Sequence, residues 1–120
     1  MKKKILIVDD EANYGLMLKI NLEQTGSYEV DAVTSATDGY QKIQNNRYDL
    51  IFLDVLMPKV EGHVALGEIR KMCKTPVVIM SAYIPPQKLD AILKSGAQGC
   101  VEKPVPLDRL VKVVEEATAA

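Results

Sequence analysis

Four acidic residues follow directly on apolar runs in this 120-residue chain: Asp9, Asp10 and Glu11 after ILIV (5–8), and Asp54 after LIFL (50–53). Acids gathered at one crevice without a basic neighbour in sequence repel one another. Two unit charges about 4 Å apart oppose each other by roughly 4 kcal/mol at an effective dielectric of about 20, whereas a typical hydrogen bond returns only about 1 kcal/mol net. Such a group needs a bound cation or protonation, and hard oxygen ligands with room for water suit Mg²⁺. For Glu11, capping the helix that follows is the better reading. Two other runs end in complementary chemistry: VVIM (77–80) leads into Ser81, and GCV (99–101) into Lys103 and Pro104. A hydroxyl, an ammonium and a cation around Asp54 can hold a phosphoryl group on a carboxylate. Singly, the serine is a local cap and the lysine a solvated charge; only the set carries the chemistry.

These groups act together only if the elements bearing them converge. Short apolar runs alternate with amphipathic segments throughout, with no linker, repeat or low-complexity tract between them, which is the pattern of a βα repeat. ILIV, LIFL, VVIM and GCV are apolar on both faces, as strands inside a parallel sheet must be. YEVDAV (28–33) partly alternates and reads as an edge strand. Helical spacing appears in Tyr14, Leu18 and Leu22, in Ala36, Tyr40 and Ile43, in Ala65, Ile69 and Met72, in Leu89, Ile92 and Leu93, and in Leu107, Leu110, Val111 and Val114. Gly26 and Gly96 suit helix C-termini, Ser35 suits an N-cap, and Pro86 and Pro106 suit first turns. The expectation is one α/β domain over residues 1–120, a doubly wound sheet of five parallel strands and five helices in three layers. Its common strand order is 2-1-3-4-5, with the chain reversing between strands 1 and 3, where ligands of such sheets bind. Asp9, Asp10 and Asp54 end those two strands.

With these elements in view, the chain resembles the receiver domains of two-component response regulators along essentially its whole length. The matching stretches are ILIVDDE (5–11), DLIFLDVLMPKVEG (49–62), PVVIMSA (76–82) and GAQGCVEKP (96–104), in that order. The resemblance implies a flavodoxin-like fold with Asp54 as phosphoacceptor. It makes Asp10 a direct Mg²⁺ ligand, Asp9 a ligand acting through water, and the Leu56 carbonyl a further metal ligand. Ser81 takes the place of the switch hydroxyl and Lys103 that of the lysine that pairs with the phosphoryl group, with a cis Lys103–Pro104 bond. The donor is a phosphohistidine on a sensor histidine kinase. The protein would catalyse only its own phosphorylation and dephosphorylation, and would not turn over a free substrate. A shifted surface is then read by an output domain or partner outside this sequence, in transcription for example, and receivers of this kind dimerise on phosphorylation through helices 4 and 5.

One departure from the family stands out. Cys100 occupies the position of an aromatic whose rotation accompanies the switch hydroxyl; Tyr83 is the nearest substitute in sequence, and Pro85 and Pro86 stiffen the start of helix 4. His63, the single histidine, is read as an exposed side chain without a role. The alternative function is a degenerate receiver serving as a constitutive interaction module. A haloacid-dehalogenase-type phosphatase would need its nucleophile in a DxD arrangement after strand 1. A flavin binder would need a Ser/Thr/Gly-rich loop there, where this chain has DDEANYG.

Composition argues against other classes. The chain is 48% hydrophobic and 26% charged with a formal net charge of -1, which gives no bias toward nucleic acid or a membrane surface. Cys73 and Cys100 have no metal-ligand spacing and read as buried thiols. The run after Lys2, Lys3 and Lys4 is too short for a signal peptide or a membrane span, so a cytoplasmic location is expected.

Overall fold

The computed structural model describes residues 2–54, 62–83 and 86–119, apart from the side chains of Gly62, His63 and Lys88. The elements are β1 (Lys3–Val8), α1 (Ala12–Gln24), β2 (Tyr28–Val33), α2 (Ala36–Asn45), β3 (Leu50–Asp54), α3 (Gly62–Met72), β4 (Val77–Ser81), α4 (Pro86–Lys94), β5 (Gly99–Glu102) and α5 (Leu107–Thr118). The strands form one parallel sheet in the order β2-β1-β3-β4-β5.

The two-residue period of a strand sorts the apolar runs between two layers. Ile5, Ile7, Leu50, Phe52, Val78 and Met80 face α1 and α5, where they meet Leu18, Leu22, Leu110 and Val114. Leu6, Val8, Ile51, Leu53, Val77 and Ile79 face the other way, against Ala36, Ile43, Ala65, Leu66, Ile69 and Ile92. Because both faces are covered, β3, β4 and the buried part of β1 (5–8) are apolar until their C-terminal ends. β5 differs from expectation: it is the far edge of the sheet, and Gly99 and Cys100 are only partly buried. β2, the other edge, shows the expected partial alternation. Its outer side is occupied by α1 side chains. Lys19 Nζ donates to the Val30 carbonyl at 2.7 Å, and the Val30 amide donates to Glu23 Oε2 at 3.1 Å, while Lys19 and Glu23 pair at 3.0 Å.

The punctuation largely follows the sequence. Gly26 and Gly96 have positive φ of 83° and 112°. Ser35 caps α2 by accepting from the Asp38 amide at 3.1 Å, and Pro86 opens α4. Pro106 is instead the N-cap of α5, one residue before the first turn, and its carbonyl accepts from the Leu110 amide. Two expected core positions are exposed: Leu93 at 38% and Leu107 at 40%. Leu107 begins its helix before α5 has settled on the sheet, and the buried stripe is Leu110, Val113, Val114 and Ala117. Among the described residues of α4, Ile92 is the buried one, with Leu89 packed against the same layer. At the lower end, the Tyr28 hydroxyl donates to Glu115 at 2.6 Å and Lys3 Nζ to Thr118 at 2.7 Å, tying α5 to the strand starts. No helix among the described residues is long and apolar enough to cross a membrane.

Candidate functional site

The same period of two builds the site. Ile5, Ile7 and then Asp9 share one face of β1, and Leu50, Phe52 and then Asp54 share that face of β3. The register sets Val8 opposite Leu53, so the next step along both strands brings Asp9 beside Asp54. Val101 belongs to this layer too, and two residues on, Lys103 follows it. Lys103 Nζ lies 2.6 Å from Asp9 Oδ2, 2.9 Å from Asp54 Oδ2 and 3.1 Å from Glu11 Oε1. Asp9 is 1% exposed and Asp54 3%. The Lys103–Pro104 bond is cis, as the resemblance implies.

Among the described residues three carboxylates, buried Asp9 and Asp54 and exposed Glu11, face the Lys103 ammonium. Burial pushes the Asp9 carboxyl up; the Lys103 and Glu11 amide hydrogen bonds pull it down and the Asp54 charge adds to the rise, and the net direction is upward. Burial alone would lower Lys103, but its bonds to Asp9, Asp54 and Glu11 outweigh this and raise it. The amine therefore stays protonated, a fixed positive charge. Oxygen atoms of Asp9, Glu11 and Asp54 lie within 4.8 Å of one another. These hard oxygen donors could hold a metal ion.

Other expected residues are arranged differently. Asp10, expected as a direct ligand, is exposed and stands outside the group of three, which takes Glu11 in its place. Glu11 occupies the N-cap position of α1 without a side-chain cap bond, so the capping role expected of it gives way to the ion pair with Lys103. Its amide donates to Asp9 Oδ1 at 2.9 Å, which fixes that carboxylate. Ser81 is fully buried, but the strand period turns it toward the layer of Val77 and Ile79, away from that of Asp54. Its hydroxyl donates to the Tyr83 carbonyl at 3.3 Å, and its own carbonyl accepts the Lys103 amide at 2.8 Å. The Tyr83 side chain is 58% exposed. Leu56 and Pro85 lie outside the described residues, as does the side chain of His63. Cys73 and Cys100 are free thiols, each half-buried, and burial with the Glu102 charge raises the Cys100 thiol.

Tyr14 is the side chain at the site that sequence reasoning assigned to the core alone. Its ring centroid lies 4.9 Å from Lys103 Nζ, and its hydroxyl accepts the Val105 amide at 3.0 Å. Only the helical spacing with Leu18 and Leu22 was visible in sequence; nothing local announces a contact with a loop so far along the chain.

Comparison with known proteins agrees with this geometry. The family model described as the response regulator receiver domain matches residues 5–115. The response regulator ArlR of Staphylococcus saprophyticus is 34% identical over 108 residues, which are 90% of this chain and 49% of that protein. The chain thus spans about half the length of that relative. Among solved structures, a two-component response regulator from Clostridium difficile superposes with a TM-score of 0.91 at 30% identity, covering 97% of this chain and 95% of that one. A CheY-like receiver domain protein from Methanospirillum hungatei superposes with a TM-score of 0.92 at 29% identity, covering 98% and 94%.

Proposed function

This chain belongs to the response regulator receiver domain family of two-component systems, and on that premise we propose that residues 1–120 form one receiver that accepts a phosphoryl group on Asp54. The observation that carries the proposal is the Lys103 ammonium held between Asp54 and Asp9 in the crevice at the strand ends.

An Asp54 carboxylate oxygen attacks the phosphorus of a phosphohistidine on a sensor histidine kinase. The new P–O bond forms as the P–N bond breaks, and the imidazole leaves with its electron pair. Lys103 neutralises phosphoryl oxygens as charge moves onto the carboxylate. Asp9, Glu11 and Asp54 would supply oxygens for Mg²⁺, with Asp10 and the Leu56 carbonyl as the further ligands the family implies. An ion held there would screen the acids from the incoming anion. Ser81 then releases the Tyr83 carbonyl and turns its hydroxyl toward the phosphoryl oxygens, shifting the β4–α4 end of the molecule. With Cys100 at the position of the family's aromatic, this shift proceeds without a ring rotation. Water later hydrolyses the acyl phosphate, so the domain acts on itself alone.

The partner is engaged beside the crevice, where Leu16, which lines a cleft with Asp9 and Lys19, is exposed together with Met17 and Ile20. An output domain or partner protein reads the shifted surface. A formal net charge of -1 gives this domain no direct role in binding nucleic acid. A cytoplasmic location fits a kinase-fed receiver.

The test is intact mass after incubation with acetyl phosphate, with and without Mg²⁺. Wild type gains one labile phosphoryl adduct only with Mg²⁺, and Asp54→Asn gains none. An adduct that persists in Asp54→Asn refutes the assignment. No adduct in wild type, together with no binding of beryllofluoride, favours a constitutive interaction module.

A further inference from the structure

We propose that Tyr14 is a positioning residue for Lys103, holding the ammonium through its ring and fixing the loop that carries it through its hydroxyl; the inference rests on the phosphoacceptor reading above. Two contacts of one side chain bracket Pro104. The ring lies 4.9 Å from Lys103 Nζ, inside the ~6 Å range of cation–aromatic attraction. The hydroxyl accepts the Val105 amide at 3.0 Å. Beneath, Tyr14 packs against the buried layer containing Leu18 and Leu110, so its ring is a fixed reference. The Lys103 side chain is 8% exposed, and a shielded cation–aromatic contact is stronger than one in water.

The carboxylates cannot do this work alone. Asp9, Glu11 and Asp54 hold the ammonium by short charged contacts, and all three also offer oxygens to a metal ion. Once a cation takes them, the lysine loses its present anchors. The Tyr14 ring is neutral and is no metal ligand, so it keeps the ammonium at the crevice while the acids are otherwise engaged. Its loss weakens the holding of a phosphoryl group and leaves cation binding alone.

Wild type, Tyr14→Leu and Tyr14→Phe are compared by the NMR position of the Lys103 ε-methylene protons, by Kd for Mg²⁺ alone, and by Kd for beryllofluoride at saturating Mg²⁺. The ε-methylene protons are shifted upfield by the ring in wild type and Tyr14→Phe but not in Tyr14→Leu. Tyr14→Leu binds beryllofluoride about fivefold more weakly with Mg²⁺ affinity unchanged. Tyr14→Phe keeps the beryllofluoride affinity and exchanges its Val105 amide faster. Unshifted protons in wild type, beryllofluoride binding in Tyr14→Leu as tight as in wild type, or equal weakening for both ligands overturns the proposal. If Tyr14→Leu does not fold, the wild-type shift and the Tyr14→Phe amide decide alone. Failure of the phosphoacceptor reading looks different: wild type binds no beryllofluoride while its Lys103 protons remain shifted.

Discussion

Replacing Lys103 by Met keeps most of the side-chain volume and removes the charge, which isolates the electrostatic role of the site. The variant takes the Lys103 ammonium away from Asp9 and Asp54, 1% and 3% exposed, and from Glu11. Breaking a buried pair by removing one partner typically costs about 3–5 kcal/mol. Protonation sets a ceiling on that cost. Taking up a proton from the ordinary aspartate value of 3.8 costs about 4 kcal/mol at pH 7 but only roughly 1.5 kcal/mol at pH 5. Asp9 is the group that takes the proton, since burial already pushes it upward. The sign follows from linkage: a carboxyl raised on folding favours the fold while protonated, and that favour is lost as pH rises above its unfolded value. Lys103→Met is therefore destabilised by about 3–4 kcal/mol at pH 7 and by less than about 2 kcal/mol at pH 5. Urea unfolding followed by far-UV circular dichroism measures both, as the chain has no tryptophan. Saturating Mg²⁺ stabilises the variant more than wild type, because the cation no longer competes with an ammonium. An equal loss at both pH values, or equal stabilisation by Mg²⁺, refutes the account.

Two further outcomes are expected elsewhere in the fold. The Tyr28 hydroxyl is pushed up to about 12, first by burial and then by its bond to Glu115 and that residue's charge. As a proton-holding group raised on folding, it stabilises fully below pH 10 and loses that contribution by about pH 12; wild type then falls by about 2 kcal/mol more than Tyr28→Phe across this window in urea midpoints. Gly96→Ala costs roughly 1–3 kcal/mol, since φ is +112° and the new Cβ would lie 2.8 Å from Arg70 Cδ. Repeating the change in an Arg70→Ala background removes the clash and retains the backbone strain, so a smaller but measurable loss in thermal denaturation is the expected result.

The fold and half of the site were legible in sequence for the same reason. The stretch of a strand buried on both faces has no polar residue until its C-terminal end, so Asp9, Asp54 and Ser81 mark strand ends by composition alone. Sequence did not show on which face each side chain emerges. Register and parity put Asp54 and Lys103 on the α1 side and Ser81 on the other, which no local motif encodes. Glu11 and Tyr14 were hidden more deeply. Their roles depend on the first turn of α1 meeting the loop after β5, a contact between the two ends of the chain. Leu93 and Leu107 fit helical spacing yet stay exposed, because periodicity reports an apolar stripe and not whether the sheet extends far enough to cover it.

The ion pair laid along the outer side of β2 bears on how the molecule behaves in a crowd. An edge strand normally offers unpaired amides and carbonyls to any extended chain that drifts alongside. At Val30 both groups are already taken, the carbonyl by Lys19 and the amide by Glu23. A strand adding at Val30 would have to strip two charged side chains from their partners and bury or displace them before pairing with that residue. The helix thus answers its own sheet in the language of a neighbouring strand, and a strand drifting along this edge meets a filled position at its centre.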